Sequence, residues 1–541
     1  MSRHPRAAAL LVVVAVFLPG IAFGQDPNPS RSVADDFMTA GEKQPLPAPI
    51  ADALAAVTAP ALGAHIRFLA SPALEGRGLG TRGVDAAAEY AAASLALAGV
   101  PPLASGYFQE VPLREITGLA GEVAVERHAG DGTRSRAFLS RVDCVFADQE
   151  PHTITAPVVF VGYGIREEKP ARDDYRGLDV RDAIVLVLSG VPAGDAWQRP
   201  ELVSRYASPD AEDRWARKLE TARALGAAAV LGVEGDGLGT RDVAKDRADA
   251  RLFLAYDAPG ADRATPLVRV SQAVADALLG TGAHRSQPGR LAGVTATIRV
   301  TGAERMVSGR NVVGVLAGTD PKLRDEAVVV GAHMDHLGKI GDAVYPGADD
   351  NASGFSALVE IAKAFSALPA RPRRTVVVAF WTGEEEGKLG SGFYVRHPLW
   401  PLARTAAYLN LDMIGHPWSM EEIRKLVADN ALPDGGTFLA KVNPVDFVEP
   451  GLPPGAADLE GALRRAANAT GLALHFDHTD GLHGGSDYRE FAREGVPFIR
   501  FFGNFFPAYH EPGDTADALD PAQVQRMARL ALATAWLLAN R

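Results

Sequence analysis

Five short segments, far apart in the sequence, carry side chains that bind divalent metals or transfer protons. They are His333-Met334-Asp335, Asp349-Asp350-Asn351, Glu384-Glu385-Glu386, Asp412-Met413 and Tyr509-His510-Glu511. Histidine with aspartate and glutamate, without cysteine, is the ligand set of zinc or a similar divalent ion. So many like charges in one crevice would repel one another unless a cation neutralised them. If the fold brings them together, these segments indicate a metal-dependent hydrolase.

Each segment taken alone has an ordinary structural explanation. His333 could be a hydrogen-bonded histidine at a strand end, and Asp349-Asp350 could be a turn with a helix N-cap. Three consecutive glutamates are usually a solvated surface. The metal interpretation therefore depends on the five segments occurring together.

Strand-like runs precede four of these segments. The β-branched and aromatic runs are residues 327–331, 375–381, 406–411 and 496–502, and a helix is predicted over 354–368. Such continuous runs are typical of strands buried on both faces of a largely parallel sheet. Loops beyond the carboxyl ends of these strands converge on one crevice. We therefore expect an α/β fold, with a mostly parallel twisted sheet and helices on both faces.

The segment 150–300 differs from the rest of the chain in its pattern of predicted elements. Short strands are predicted at 157–164 and 183–188, and a helix at 218–226 leads into a strand at 227–233. Glycine, aspartate and proline separate these elements, which favours a compact β-rich domain with few helices. It contains no convergent cluster of candidate catalytic groups. We interpret it as an inserted accessory domain.

The N-terminal residues have the pattern of a secretory signal peptide. Arg3 and Arg6 precede the apolar stretch 7–23, and small residues follow before Gln25. A membrane anchor is the alternative, but the apolar part is short for a span of roughly 20 residues. We expect a signal peptide at 1–24, a linker at 25–48, a secreted or periplasmic location and no stable membrane insertion after cleavage.

Composition excludes some classes of function. The formal net charge of −11 argues against nucleic acid or anionic membranes as the main partner. Cys144 is the only cysteine, so no intramolecular disulfide can form, and we interpret it as a packing residue. Residues 78–83 match the G-x-G-x-x-G pattern, but no strand is predicted before them. A loop leading into a helix at 84–97 explains these glycines better than a dinucleotide site.

Five motifs in order resemble those of the co-catalytic zinc aminopeptidases and glutamate carboxypeptidases. They are GAHMDHLG, PGADDNASG, TGEEEGKLGS, LNLDMIG and AYHEPGDT. The resemblance assigns residues 301–541 to the catalytic domain and 49–149 to its N-terminal part. The segment 150–300, which contains DDYRGLDVRDAIVLVLSG, resembles the protease-associated domain inserted in many members.

The resemblance implies two Zn²⁺ ions per chain and peptide substrates. His333 and Asp412 would bind one ion, and Glu385 and His510 would bind the other. Asp350 would bridge the two.

The resemblance also implies the catalytic roles. Glu384 would act as the general base, and Asp335 would orient the His333 ring. Tyr509 is similar to the tyrosine that stabilises the oxyanion in the carboxypeptidase branch. Many aminopeptidases have a histidine where this chain has Tyr488; this position is not one of the five implied ligands.

More than one function remains open from the sequence. The carboxylates Asp349, Glu386 and Asp487 favour binding of a free α-amine, which predicts an aminopeptidase. Arg489 and Arg500 are the arginines near the later motifs, and neither is an obvious clamp for a terminal carboxylate. The alternatives are a zinc carboxypeptidase of the same fold, a single-zinc glutaminyl cyclase, and an inactive binding homologue that would have lost ligands.

Overall fold

The structure is a computed structural model of the chain. It describes residues 32–41, 45–129, 132–140, 142–146, 150–208, 211–234, 250–255, 265–280, 287–482 and 485–541. The predicted signal peptide lies outside the described residues, as does part of the predicted linker. Within these ranges no single helix has the length and apolar composition to cross a membrane, although the bent pair Ala48–Ala56 and Ala59–Leu69 does so jointly.

The α-helices of the described residues occur in all parts of the chain. They are α1 (Ala48–Ala56), α2 (Ala59–Leu69), α3 (Arg82–Leu97), α4 (Pro200–Ala207), α5 (Ala211–Ala224), α6 (Gln272–Leu279), α7 (Gly354–Ser366), α8 (Leu389–Arg396), α9 (Met420–Asp429), α10 (Gly435–Leu439), α11 (Ala457–Thr470), α12 (Tyr488–Arg493) and α13 (Pro521–Ala539).

The strands include several of only two residues. They are β1 (Phe37–Met38), β2 (Phe108–Ala129), β3 (Gly132–Leu139), β4 (Cys144–Val145), β5 (His152–Phe160), β6 (Arg166–Glu167), β7 (Arg172–Asp173), β8 (Ile184–Leu188), β9 (Ala229–Val233), β10 (Ala250–Leu254), β11 (Leu267–Val270), β12 (Gly289–Leu316), β13 (Ala327–His333), β14 (Lys339–Ile340), β15 (Ala343–Val344), β16 (Thr375–Trp381), β17 (Thr405–Leu411), β18 (Phe447–Val448), β19 (Gly451–Leu452), β20 (Ala473–His475), β21 (Asp477–His478) and β22 (Phe498–Phe501).

Local sequence explains where several helices begin. The Thr81 hydroxyl accepts a hydrogen bond from the Gly83 amide and caps α3, whose alanines have high helix propensity. Ser419 and Glu422 form a capping box at the start of α9. Asp520 caps α13, and Pro521 occupies its first turn, where no amide donor is needed. These ends are therefore set by residues close by in the chain.

The centre of the main sheet is parallel. Strands β16, β13, β17 and β22 lie side by side in that order, and each pairs in parallel with its neighbour. Every residue of β13 and of β16 is buried. On β13, Val328 and Val330 pack in one core while Val329 packs in another, because successive side chains point to opposite faces. The β-branched runs thus reflect burial on both faces.

Helices cover both faces of this parallel sheet, as predicted. Helices α1, α2, α3, α7 and α13 contribute to the larger core on one face. Tyr394 from α8 and Phe491 from α12 pack on the other face with Trp381. The fold class predicted from the sequence is confirmed.

The long strand β12 joins the parallel sheet to a second group of strands. It pairs antiparallel with β16 at one end and with β5 and β2 elsewhere, and its register shifts between Thr301 and Ala303. Beyond it, β5, β8, β9 and β11 pair in parallel. Val123, Phe138 and Cys144 join the core of this second group, so packing continues across residue 150. The predicted domain boundary there stays a prediction.

Candidate metal centre

Adjacent strands place three of the five predicted segments at one edge of the sheet. β13 ends at His333, Glu384 follows β16 closely, and Asp412 directly follows β17. Since β17, β13 and β16 are parallel neighbours, their carboxyl ends lie together. Asp350 comes from the helical turn Ala348–Ser353 before α7, and His510 comes from the turns after β22.

The first cluster contains His333, Asp350 and Asp412. The His333 Nε2 atom lies 3.2 Å from Asp412 Oδ1 and 3.4 Å from Asp350 Oδ1. His333 is buried, and Asp412 is partly exposed at the rim. Two carboxylates therefore face one imidazole nitrogen, which is an arrangement suited to a shared cation.

The second cluster contains Asp350, Glu385, His510 and one residue that the sequence reasoning missed, His336. The His510 Nε2 atom lies 3.0 Å from Asp350 Oδ2 and 3.3 Å from Glu385 Oε2. The His336 Nδ1 atom lies 2.7 Å from Glu385 Oε1. A second histidine directly after Asp335 was the sequence signal that could have found it.

Asp350 belongs to both clusters, since each of its oxygens faces one of them. In each cluster one donor atom per residue can be chosen so that all lie within 4.8 Å of one another. Zn–N and Zn–O bonds of about 2.0–2.1 Å put tetrahedral ligand atoms roughly 3.3 Å apart. The observed separations of 3.0–3.4 Å around His333 and His510 match that spacing. The donor set and its spacing therefore fit zinc.

Buried groups hold the Asp350 segment in place. The Asp349 and Asp350 amides donate to the two oxygens of Asp514, at 2.9 and 3.1 Å. The Asn351 side chain donates to the Leu411 carbonyl at 2.9 Å, which ties this segment to the end of β17. Hydrogen bonds of its own backbone segment thus position the Asp350 carboxylate.

Arg77 lies behind the same segment, fully buried. Its guanidinium donates to the carbonyls of Met334 and Gly347, both at 2.8 Å, and so joins the His333 and Asp350 segments. Burial lowers the pKa of Arg77 to about 10, and the carboxylates of Asp514 and Asp350 oppose that shift. The side chain remains a cation at neutral pH.

Asp335 lies beside both the His333 ring and the turn that carries the two glutamates, and its predicted role in orienting that ring stays a prediction. The carboxylate is 3.9 Å from His333 Nδ1, and the nearer atom to that nitrogen is the Asp335 backbone carbonyl at 3.2 Å. Its two oxygens accept hydrogen bonds from the amides of Glu384 and Glu385, at 3.1 and 3.2 Å. The Asp335 side chain therefore positions the turn that carries the two glutamates.

Glu384 and Glu385 are neighbours with opposite electrostatic surroundings. Burial raises the pKa of Glu384 well above its usual range, although Lys388, 3.5 Å away, and His333 oppose the shift. Burial acts on Glu385 in the same direction, but His510 and His336 hold its pKa well below the usual range. Within the described residues Glu384 Oε1 accepts no hydrogen bond. Glu385 thus pairs with the two histidines of the second cluster, whereas Glu384 keeps an oxygen that accepts no hydrogen bond and has Lys388 as its neighbouring cation.

Tyr509 lies against the second cluster. Its ring packs on the His510 ring with centroids 3.8 Å apart and contacts Phe505 edge to face. Burial, together with the carboxylates of Asp350 and Glu385, raises the pKa of Tyr509 above its usual value. The structure therefore places this predicted site residue beside the metal ligands.

Comparison with known families gives a direct match for this part of the chain. Residues 311–535 match the sequence model described as Peptidase family M28. We call residues 311–535 the M28 segment. It contains the five predicted metal ligands together with Glu384, Tyr509 and Asp335. The predicted relation to zinc aminopeptidases and glutamate carboxypeptidases is confirmed.

Individual relatives resemble the chain over part of its length. A probable glutamate carboxypeptidase of Arthroderma benhamiae is 39% identical over 107 residues, 19% of this chain and 14% of that protein. A probable leucine aminopeptidase of Arthroderma otae is 30% identical over 228 residues, 40% of this chain and 56% of that protein. The chain thus spans 14–56% of the length of these two curated relatives.

A solved structure extends the similarity of fold beyond the M28 segment. The aminopeptidase from Aneurinibacillus sp. strain AM-1 superposes with a TM-score of 0.53 at 20% sequence identity. The match covers 91% of this chain and 96% of that chain. At this identity the comparison establishes the fold alone.

Both candidate arginines of the M28 segment are paired with carboxylates. Arg500 Nη2 donates to Asp477 at 2.9 Å, and Arg489 Nε donates to Glu490 at 3.0 Å. Tyr488 is buried and packs on Phe498. None of these three side chains is therefore positioned to bind the terminal carboxylate of a substrate.

The carboxylates expected to attract an amine differ in their availability. Asp349 is fully buried, and its oxygens accept from the Gly415 amide at 2.7 Å and lie 2.9 Å from His416 Nδ1. Asp487 is buried and accepts from the Ser391 hydroxyl at 2.5 Å. Glu386 is partly exposed. Asp349 in the M28 segment therefore supports the loop and does not line the crevice.

Proposed function

We propose that this protein is a di-zinc exopeptidase that removes N-terminal residues from peptides. The observation that carries this proposal is the pair of largely buried clusters that share Asp350, next to a Glu384 oxygen that accepts no hydrogen bond within the described residues. His333 and Asp412 would hold one zinc, and Glu385 and His510 would hold the other. All five predicted ligand positions are occupied by metal-binding residue types, which argues against an inactive binding homologue or a single-zinc glutaminyl cyclase.

Residues of the chain supply the proton transfers of peptide hydrolysis. Bound zinc would supply Lewis acidity and lower the pKa of water in the site. Glu384 would accept the proton of the attacking water and pass it to the leaving amine, because within the described residues its Oε1 atom accepts no hydrogen bond and has only Lys388 nearby, at 3.5 Å. Tyr509, packed on His510, would donate a hydrogen bond to the developing oxyanion.

Attack at the N-terminus is favoured over attack at the C-terminus. Arg489 and Arg500 already pair with Glu490 and Asp477, so neither offers an unpaired guanidinium for a terminal carboxylate. A carboxylate-rich crevice also leaves a negative field that attracts an α-amine. The relative named leucine aminopeptidase points the same way.

Carboxypeptidase activity is the second candidate. A relative named glutamate carboxypeptidase is 39% identical over the 107 residues it matches. Because the two activities use the same metal ligands, only the substrate decides between them.

One peptide in four forms separates these candidates. It is prepared with its N-terminus free or acetylated and with its C-terminus free or amidated, and cleavage is followed by mass spectrometry. We expect acetylation to abolish cleavage and amidation to leave it intact; the reverse pattern would identify a carboxypeptidase. Cleavage of none of the four forms by zinc-loaded protein would refute an exopeptidase.

Metal analysis tests the number of ions. The purified, reconstituted protein should contain about two equivalents of zinc and lose activity after chelation. A ratio that stays near one after zinc addition would contradict a shared Asp350.

We also propose that the chain is exported to the periplasm or the medium and that residues 150–300 act as an accessory domain of the protease-associated type. Arg3, Arg6 and the apolar stretch 7–23 support export. Cell fractionation with N-terminal sequencing of the mature protein would test it, and an uncut N-terminus on cytoplasmic protein would contradict it.

A further inference from the structure

His336 has no role in the function proposed above, yet its side chain lies inside the second cluster. The imidazole is fully buried, and its Nδ1 atom lies 2.7 Å from Glu385 Oε1. Within the described residues its Nε2 atom has no hydrogen-bond partner. The Nδ1 atom therefore lies beside one Glu385 oxygen, and the Nε2 atom makes no hydrogen bond within the described residues.

The surroundings fix the ring in this orientation. The His336 amide donates to the Arg77 carbonyl at 3.2 Å. Gly347 packs against the ring so closely that a Cβ atom there would lie 2.5 Å from His336 Cγ. The ring of His510 meets it at 63° with centroids 5.7 Å apart. Backbone and neighbouring rings therefore leave the imidazole little freedom to turn.

The distances distinguish a hydrogen bond from shared metal ligation. Two atoms that bind one tetrahedral zinc lie roughly 3.3 Å apart, whereas a charge-assisted N–H···O bond measures about 2.7–2.9 Å. The His336–Glu385 distance of 2.7 Å belongs to the second class, and Asp350 Oδ2 is farther from Nδ1, at 3.7 Å. The other oxygen of Glu385 lies 3.3 Å from His510 Nε2, at the ligand spacing.

We infer that His336 is a positioning residue for the second metal. Its Nδ1–H group donates to Glu385 Oε1, which orients the carboxylate so that Oε2 faces the cation with His510 and Asp350. This inference rests on the proposed metal function, but it concerns metal affinity and does not require turnover.

Zinc titration against a competing chelator tests the inference on the full chain. Losing a group that orients a metal ligand typically weakens metal binding 10–100-fold. We expect zinc affinity to fall by this factor at one of the two sites in both His336→Leu and His336→Gln. Leucine has no donor, and the glutamine amide lies farther along the side chain than Nδ1. His336→Asn should bind within a few-fold of the wild type, because its amide N–H occupies nearly the Nδ1 position. The other site should be unchanged in all three.

A matched control is available in the same chain. His475 is buried, and its Nδ1 atom also lies 2.7 Å from a glutamate oxygen, that of Glu449. His475→Leu should therefore leave both zinc affinities unchanged. Thermal unfolding of the metal-free variants verifies that each one folds, and His336→Gln replaces His336→Leu if the latter does not.

Two outcomes overturn the inference. An equal loss of zinc affinity in His336→Asn and His336→Gln would show that the imidazole nitrogen itself is a metal ligand. Unchanged affinity in His336→Leu and His336→Gln would show that Glu385 needs no donor. A wild-type protein that binds only one zinc overturns the proposed function as well, so the two failures are distinguishable.

Discussion

Replacing Arg77 by methionine should destabilise the protein even when no metal is present. The guanidinium donates to the carbonyls of Leu69, Met334, Pro346 and Gly347, at 2.6–2.8 Å. Methionine fills much of the same apolar volume but donates no hydrogen bond. Four carbonyls, three of them on buried residues, would therefore lose their charged donor.

The expected cost follows from two opposing contributions. Hydrogen bonds to a charged donor are each worth roughly 1.5–3 kcal/mol, so the four bonds contribute about 6 kcal/mol at the lower value. The fall in the pKa of Arg77 to about 10 corresponds to a net penalty of about 3 kcal/mol on the buried cation, after the attraction of the nearby carboxylates, and the substitution relieves it. The net loss of unfolding free energy should therefore be about 3 kcal/mol.

Urea unfolding of the chelator-treated protein measures this loss. Arg67→Met is the matched control, because Arg67 is exposed near the end of α2 and its replacement should cost less than about 0.5 kcal/mol. Zinc affinity should also fall in Arg77→Met, since the bonds to Met334 and Gly347 hold the segments that carry His333 and Asp350. A loss below about 1 kcal/mol would refute the reasoning.

Three further changes have definite expected results. Glu384→Gln should retain zinc and lower kcat ~10²–10⁴-fold; if Glu385→Gln shows that behaviour and Glu384→Gln loses metal, the two roles are exchanged. Tyr509→Phe should lower kcat by raising the activation free energy about 2.7–4 kcal/mol, with unchanged metal content. An unchanged kcat would assign the oxyanion donor to another residue. Burial lowers the pKa of Lys218 from 10.5 to about 7, so above pH 7 the unfolded state binds more protons than the folded state. Stability should therefore rise by about 2 kcal/mol between pH 7 and 9 relative to Lys218→Met, as followed by urea unfolding, and a pH-independent difference would contradict this.

Sequence reasoning was most successful where local pattern reflects burial. The runs in β13, β16 and β17 were predicted within two residues of their bounds, because strands buried on both faces need apolar side chains at every position. Their parallel order places His333 and Asp412 at one edge, as predicted. The five motifs also lie within the segment that matches the M28 model.

The same reasoning failed where contacts depend on residues distant in sequence. Arg77 donates to Met334, which lies 257 positions away, and nothing local to either residue indicates that bond. The Asp335 carboxylate accepts from the amides of Glu384 and Glu385, which only the adjacency of β13 and β16 makes possible.

By itself, the sequence determined the α/β class, the strands, the similarity to peptidase family M28 and the residue types able to bind zinc, because these depend on composition and order along the chain. Only the tertiary structure decided which of those residues share a cation. Asp349 and Asp350 are neighbours of identical chemistry, yet Asp349 is held by Gly415 and His416 while Asp350 joins both clusters. Side chains at adjacent positions point in different directions, and their partners come from strands and turns that meet only in the folded protein.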